Sequence, residues 1–270
     1  MGAAAGSMRG GIDPDAAAYI ARFTVEPDST RKNAINDLFI AIKTAGVYSK
    51  LDMLFVPKKA QDSQSGLLDL KRHSGSASIT GSASWDFDLG FVGVAGSGNY
   101  VNTNYTPFAD HSGGVTANNF GLGAYVTRHA TTSPSVASPG VLVAYGSAIL
   151  NRTALVVYGN ESTSSLTGSF IHGSNDKISG STISGDWFFY LARLAKNDLR
   201  AYKNASQTST NTTNNEDRQL SNASIRCNVS TGNGTTGQPS ASGAQWAGEP
   251  LTEVEQSALK LALDNYFSAL

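Results

Sequence analysis

The N-terminal part of the chain spaces its apolar residues for helices. In "DAAAYIARF", Ala16, Tyr19, Ile20 and Phe23 share one face. In "DSTRKNAINDLFIAIKTAG", Ile35, Leu38, Phe39 and Ile42 recur at i, i+3, i+4 and i+7, the period of a half-buried helix. Asp28 or Ser29 can cap its start and Gly46 can close its end. "VYSKLDMLFVP" offers Leu51, Leu54 and Phe55 for a short third helix. Pro57 would stop it, because proline lacks the amide and its ring clashes with the preceding turn.

Beyond Pro57 the period changes to two. "GLLDLKR" puts Leu68 and Leu70 on one face and Asp69 and Lys71 on the other. "SASWDFDLGFVGV" aligns Trp85, Phe87, Leu89 and Phe91 in the same way. Further strands are predicted in "NYVNTNYT", "NNFGLGAYVTRH", "GVLVAYGSAIL", "TALVVYG", "GSFIHGS", "DWFFYLARL", "LRAYKN" and "ASIRCNVS". Gly, Ser, Asn and Pro separate these runs. Many short strands at regular spacing predict a β-sandwich or barrel, and the lack of βαβ alternation argues against a parallel sheet.

The chain returns to helical spacing at its end. "LTEVEQSALKLALDNYFSAL" opens on Thr252 and Glu255, a capping box, and carries a stripe of Leu259, Leu263, Tyr266, Phe267 and Leu270. That stripe must pack on something, most simply the sandwich. Asn204 to Ser224 reads as a long polar loop or an exposed edge hairpin. The predicted organisation is a flexible arm at 1–14, a helical segment at 15–60 that docks or packs, and a β-sandwich with its closing helix at 61–270.

Composition narrows the function. Only 15% of the 270 residues are charged, against 40% hydrophobic, which suits a β-rich, turn-rich protein. The net charge is -1 and no long basic run occurs, so no nucleic-acid partner is expected. Cys227, the single cysteine, allows no internal disulfide and no cysteine-rich zinc site, and reads as a half-buried strand residue. "MGAAAGSMRGG" lacks the apolar stretch of a secretory signal, and no run is long enough to span a membrane.

The candidate chemistry is sparse. "GFVGVAGSGNYVNTNYT" is rich in glycine, but a phosphate cradle needs a helix after its loop. Here an alternating run follows, so Gly96 to Asn99 reads as a hairpin turn, with Gly98-Asn99 a pair that tolerates the positive φ such turns demand. His73, His111, His129 and His172 sit beside no nucleophile elbow, and serines are too common for a triad to be read from presence alone. Asp86 and Asp88 share a strand face and could act as paired acids, or could simply face solvent. Asp110 and "NNED" at 214–217 could supply oxygens to calcium, yet match no calcium loop. Repeated Asn-x-Ser/Thr sequons, as at Asn104 and Asn151, follow from a chain rich in these residues.

Sugar recognition uses aromatic faces beside amide and hydroxyl groups. Tyr105, Tyr125 and Trp246, with Asn102 and Asn104, supply such groups and are the candidate ligand-binding residues; core packing is the alternative for each aromatic. No catalytic set, metal site or cofactor is assigned.

Several stretches together resemble a family of bacteriophage and prophage proteins with a concanavalin A-like (laminin G-like) jelly-roll domain. "AINDLFIAIKTAGVYSKLDMLFV" resembles the family's helical entry segment, with Tyr48 where Trp is common. In the glycine-rich strands that follow, Gly93, Gly96, Tyr100, Val101 and Thr103 fit the family's spacing loosely. "LTEVEQSALKLALDNYFSAL" matches its closing helix. The resemblance implies a mainly β, concanavalin A-like jelly-roll sandwich in a virion structural protein: a tail, fibre or capsid appendage or decoration subunit. It implies lectin-like binding to host surface glycans, partners among other virion proteins, and assembly of several copies. It implies location in the virion and supplies no catalytic residue, so no enzyme is expected. The alternative on the same fold is a polysaccharide-degrading hydrolase or lyase.

Overall fold

The computed structural model describes residues 11–94, 96–116, 118–128, 187–212, 224–230 and 240–270, together with the strand backbones at 139–145, 152–155, 166–169, 177–180 and 236–237. His129, His172 and the "NNED" segment lie outside the described residues, as does most of the N-terminal arm.

The helical periods fold as α1 (Pro14–Ile20), α2 (Ser29–Thr44) and a single turn, α3 (Val47–Lys50). Then follow β1 (Leu51–Phe55), a turn of helix α4 (Ser63–Gly66), β2 (Ser78–Thr80), β3 (Ser84–Asp86), β4 (Gly90–Val92), β5 (Gly96–Ser97), β6 (Tyr100–Asn102) and α5 (Pro107–Asp110). The remaining strands are β7 (Phe120–Arg128), β8 (Pro139–Tyr145), β9 (Arg152–Leu155), β10 (Leu166–Ser169), β11 (Lys177–Gly180), β12 (Trp187–Ala195), β13 (Asp198–Lys203), β14 (Ser206–Asn211), β15 (Arg226–Ser230), β16 (Thr236–Gly237) and β17 (Ala241–Gly248). The closing helix is α6 (Glu253–Ala269).

The strands pair antiparallel. An eight-stranded sheet runs β14-β13-β12-β7-β17-β4-β3, and β1 joins the part of β17 that β4 leaves open. A seven-stranded sheet runs β2-β6-β15-β16-β5, with β8 on the other edge of β15 and β9 beyond it. β10 and β11 pair with each other.

Alternation along the strands divides the core in two. On β12, Trp187, Phe189 and Leu191 join Phe91, Val101, Phe120, Leu122, Ile225 and Cys227 in the core between the sheets. The alternate residues Phe188, Tyr190 and Ala192 turn outward and meet Tyr19, Ile35, Phe39, Leu259, Leu263 and Phe267 from the helices. The larger sheet is thus covered on both faces, which is why "WFFYLA" reads as an unbroken apolar run. The apolar faces of α1, α2 and α6 pack into one cluster on this side of the sheet. Cys227 is fully buried, and burial pushes its thiol pKa up.

Local chemistry sets the helix ends as expected. Asp28 caps α2 by accepting from the Arg31 amide at 2.8 Å, and Gly46 takes φ +73°. Thr252 accepts from the Glu255 amide while Glu255 accepts from the Thr252 amide at 2.8 Å. Thr252→Ala is expected to cost about 1 kcal/mol. Urea denaturation checks this: the midpoint should fall with an unchanged slope.

Several expectations are corrected. Leu51, Leu54 and Phe55 lie in strand β1, not a third helix, and pair with β17 through Leu51↔Gly248 and Phe55↔Gln245. Short apolar runs are ambiguous by period, and all residues of this run are buried. The larger sheet therefore begins inside the segment read as helical. "GLLDLKR" makes only isolated bridges, Phe55↔Asp69 and Leu68↔Ser76, and Asp69 is buried like Leu68 and Leu70 on the opposite face. "SASWDFDLGFV" is a hairpin, β3 paired with β4, not one strand.

The glycine run is a set of turns. Gly90 opens β4 at φ +86°, and a Cβ there would lie 2.3 Å from the Ser242 carbonyl oxygen, so only glycine fits. Gly98 takes φ +77° at the predicted turn. The flanking strands do not pair with each other, however: β5 pairs with β16, and β6 lies between β2 and β15. Part of the polar 204–224 stretch forms β14, an edge of the larger sheet.

Candidate functional site

The residues named for sugar binding fall in three places. Tyr105 is fully buried between the sheets, where its hydroxyl donates to Asp52 Oδ2 at 3.2 Å. The Arg72 guanidinium lies 5.3 Å over its ring. Burial, followed by the neighbouring Asp52 carboxylate, pushes its phenol pKa far up. Trp246 is 1% exposed and lies under the helices, stacked on Phe188 at 4.6 Å and 27°. Both residues offer no face to a ligand, because the faces they point to are covered by a second layer.

Asn102 and Asn104 build the turn that leaves β6. The Asn104 amide donates to Asn102 Oδ1 at 3.1 Å, and the Asn104 side chain donates to the Ser76 carbonyl at 2.9 Å. Asn104 is left-handed at φ +53°. Just beyond, α5 holds up Phe108, which is 60% exposed and is the aromatic among the exposed large hydrophobics of the described residues. Phe108 belongs to no periodic run in the sequence. Its signal is Pro107, which starts a short helical turn and takes the buried position itself.

Tyr125 lines an open hollow of about 410 Å³, together with Lys58, Lys59, Asp88, Asp264, Phe267 and Ser268. Four separate segments converge there. The connection after β1 brings the lysines. The Lys58 amide donates to the Gly243 carbonyl at 3.1 Å and the Lys59 amide to the Phe87 carbonyl at 2.7 Å. Lys59 sits at φ +61°, a conformation that its fixed amide holds. The β3–β4 turn brings Asp88, β7 brings Tyr125, and the last turns of α6 bring Asp264, Phe267 and Ser268.

The wall is amphipathic. Tyr125 and Phe267 meet edge to face, with centroids 5.1 Å apart and planes at 74°. The Lys58 ammonium lies 5.6 Å from the Tyr125 centroid and 5.2 Å from that of Phe267. The Tyr125 hydroxyl donates to Asp264 Oδ1 at 3.0 Å, and Lys260 donates to Oδ2 at 2.6 Å. Lys59 pairs with Asp88 and covers the Phe87 ring at 4.4 Å. Carboxylate acceptors, ammonium donors and an apolar edge thus face one open space.

Asp86 and Asp88, which the sequence left as either paired acids or a solvent-facing pair, take separate partners. Asp86 Oδ1 accepts from the amides of Asp88 and Leu89, each at 2.9 Å, and so shapes the turn. Asp88 turns away to Lys59. Among the described residues no group of three His, Cys, Asp or Glu side chains converges on one point. No helix among them is long and apolar enough to cross a membrane.

No family model matches the chain, and no curated protein matches it in sequence. Solved structures do match in shape. A Trypanosoma rangeli sialidase in complex with 2,3-difluorosialic acid aligns with TM-score 0.54 and 12% identity, over 86% of this chain and 39% of the sialidase chain. Domain 4 of AbnA, an extracellular arabinanase from Geobacillus stearothermophilus, in complex with arabinotriose, aligns with TM-score 0.52 and 16% identity, over 78% of this chain and 98% of the domain. A botulinum neurotoxin type C chain, whose cell entry is described as dependent on two ganglioside molecules, aligns with TM-score 0.58 and 10% identity, over 82% of this chain and 53% of its own. The chain therefore spans about two-fifths of the sialidase and about half of the toxin chain. These similarities establish the fold: a concanavalin A-like antiparallel sandwich with N-terminal helices and a closing C-terminal helix.

Proposed function

We propose that the protein is a lectin-like glycan-binding module that serves as a non-catalytic structural component of a phage particle. The observation that carries the binding half is the hollow at Tyr125. Its volume lies in the range of small-ligand sites, about 300–1,000 Å³, and its wall mixes an apolar edge with converging polar groups. Neighbours of the same fold that are named with arabinotriose or gangliosides support the reading. The non-catalytic half rests on the acids: Asp86 is committed to backbone amides and Asp88 to Lys59. The particle half rests on the sequence resemblance to phage proteins, with host surface glycans as the ligand and other virion proteins as neighbours.

An immobilised glycan array, probed with the full chain, tests the binding reading. Asp264→Asn removes the charge that Tyr125 and Lys260 hold in place. It is expected to weaken binding by about tenfold, or about 1.4 kcal/mol, with the thermal midpoint nearly unchanged. A silent array sinks the reading. Mass spectrometry of purified particles from the source tests the particle half, and absence from them sinks it.

A further inference from the structure

The charges of the hollow carry the reading one step further. We infer that it takes a neutral polyol ring, such as a terminal hexose or pentose, and discriminates against acidic sugars; this rests on the glycan-binding reading above.

The lining residues bring two ammonium groups and two carboxylates, so they add no net charge. The positive groups are engaged. Lys59 pairs with Asp88, and Lys58 lies over the Tyr125 and Phe267 rings. At the rim, Lys260 is held by Asp264. The chain as a whole carries -1 and adds no attraction for anions.

An acidic sugar would bring its carboxylate toward Asp88 and Asp264. To reach Lys59 it would have to replace Asp88, exchanging one ion pair for another and leaving two carboxylates side by side. Like-charge juxtaposition is a strong source of rejection. A hydroxyl group fits differently, because it donates and accepts at once. Hydroxyls of one ring can donate to a lining carboxylate while accepting from an ammonium group, with no ion pair broken. Asp88 is 72% exposed, so a sugar hydroxyl can reach it without desolvating a buried charge. Tyr125 and Phe267 are each about 8% exposed and offer a C–H edge of the sugar a narrow contact rather than a full stacking face. That suits a single terminal ring.

Matched pairs of probes test this with the full chain: methyl glucoside against methyl glucuronide, methyl galactoside against methyl galacturonide, and lactose against sialyllactose, each by calorimetric titration. The expected result is at least tenfold tighter binding of the neutral member in every pair that binds. Asp88→Asn and Asp264→Asn should each weaken the neutral member and narrow the gap, since both remove the repulsion. Equal or tighter binding of the acidic member overturns the inference and leaves the glycan-binding reading standing. So does neutral binding that neither variant changes, because the ligand then lies elsewhere. If no probe binds, the inference fails, and if the glycan array is also silent the reading fails with it.

Discussion

Trp246→Ala is expected to destabilise the protein by about 3–5 kcal/mol, the range for removing a buried aromatic side chain. The indole is almost fully buried and stacks on Phe188, with Tyr190 near-parallel beyond at 6.4 Å and 13°. It sits where sheet backbone meets the helix layer, and both walls resist collapse. Gly123 on β7 makes the room: a Cβ there would lie 2.0 Å from the indole. Removing the ring leaves a cavity that glycine cannot fill. Equilibrium urea denaturation reads the loss, and Trp246→Phe should recover a good part of it. A loss below about 1 kcal/mol would show that this site does not pin the helices to the sheet. Sugar binding at the hollow by the surviving folded fraction should be kept, because Trp246 does not line it.

Asp69→Ala should cost a similar amount, about 3–5 kcal/mol, because it leaves the partners of a buried charge unsatisfied. The carboxylate is fully buried. Its Oδ1 accepts from the amides of Leu54 at 3.1 Å, Lys71 at 2.9 Å and Arg72 at 3.2 Å, and its Oδ2 from Arg72 Nε at 2.5 Å. Burial pushes the carboxyl pKa up, while the Arg72 guanidinium and the amides pull it down. Arg72 reaches on to the carbonyls of Thr103 and Asn104, each at 3.0 Å. Arg22 closes the other side by donating to the carbonyl of Asp69 at 2.8 Å and to that of Gly75. One carboxylate thus ties β1, the 67–76 connection and the turn after β6 together. Thermal denaturation measures the cost, and amide exchange of Leu54 and Lys71, which donate to this carboxylate, should rise before global unfolding. A variant as stable as the wild type would refute the role. Asp69→Asn keeps the shape but turns an amide toward Arg72, and should fall between the two.

These two residues mark the limits of sequence reading. Alternation puts Asp69 on the face opposite Leu68 and Leu70, but it reports a face and not what covers it. Trp246 and Tyr105 fit either a sugar platform or the core, because an aromatic's identity does not say what covers it. The strand that carries Trp246, "ASGAQWAG", was not foreseen at all. It is rich in Ala, Ser and Gly, shows no period, and is buried throughout. It lies between β7 on one edge and β4 and β1 on the other, where close neighbours favour small side chains. Phe108 was missed because a lone aromatic in a turn carries no periodic signal. Tyr125 was named from its side chain alone, without the partners that give it a setting.

Where the cause is local, neighbouring residues settle the outcome. The faces of α1, α2 and α6, the Asp28 and Thr252 caps, the positive φ of Gly46 and Gly98, and the β-rich middle all follow from residues within a few positions of each other. Where the cause is a pairing between distant segments, the outcome waits on the folded arrangement. Residues 51–55 became a strand because β17 offers them an edge. The larger sheet is buried on both faces because the helices fold back on it. The hollow exists because segments at 58–59, 88, 125 and 264–268 meet. No periodicity encodes such meetings; they follow from how the layers cover one another.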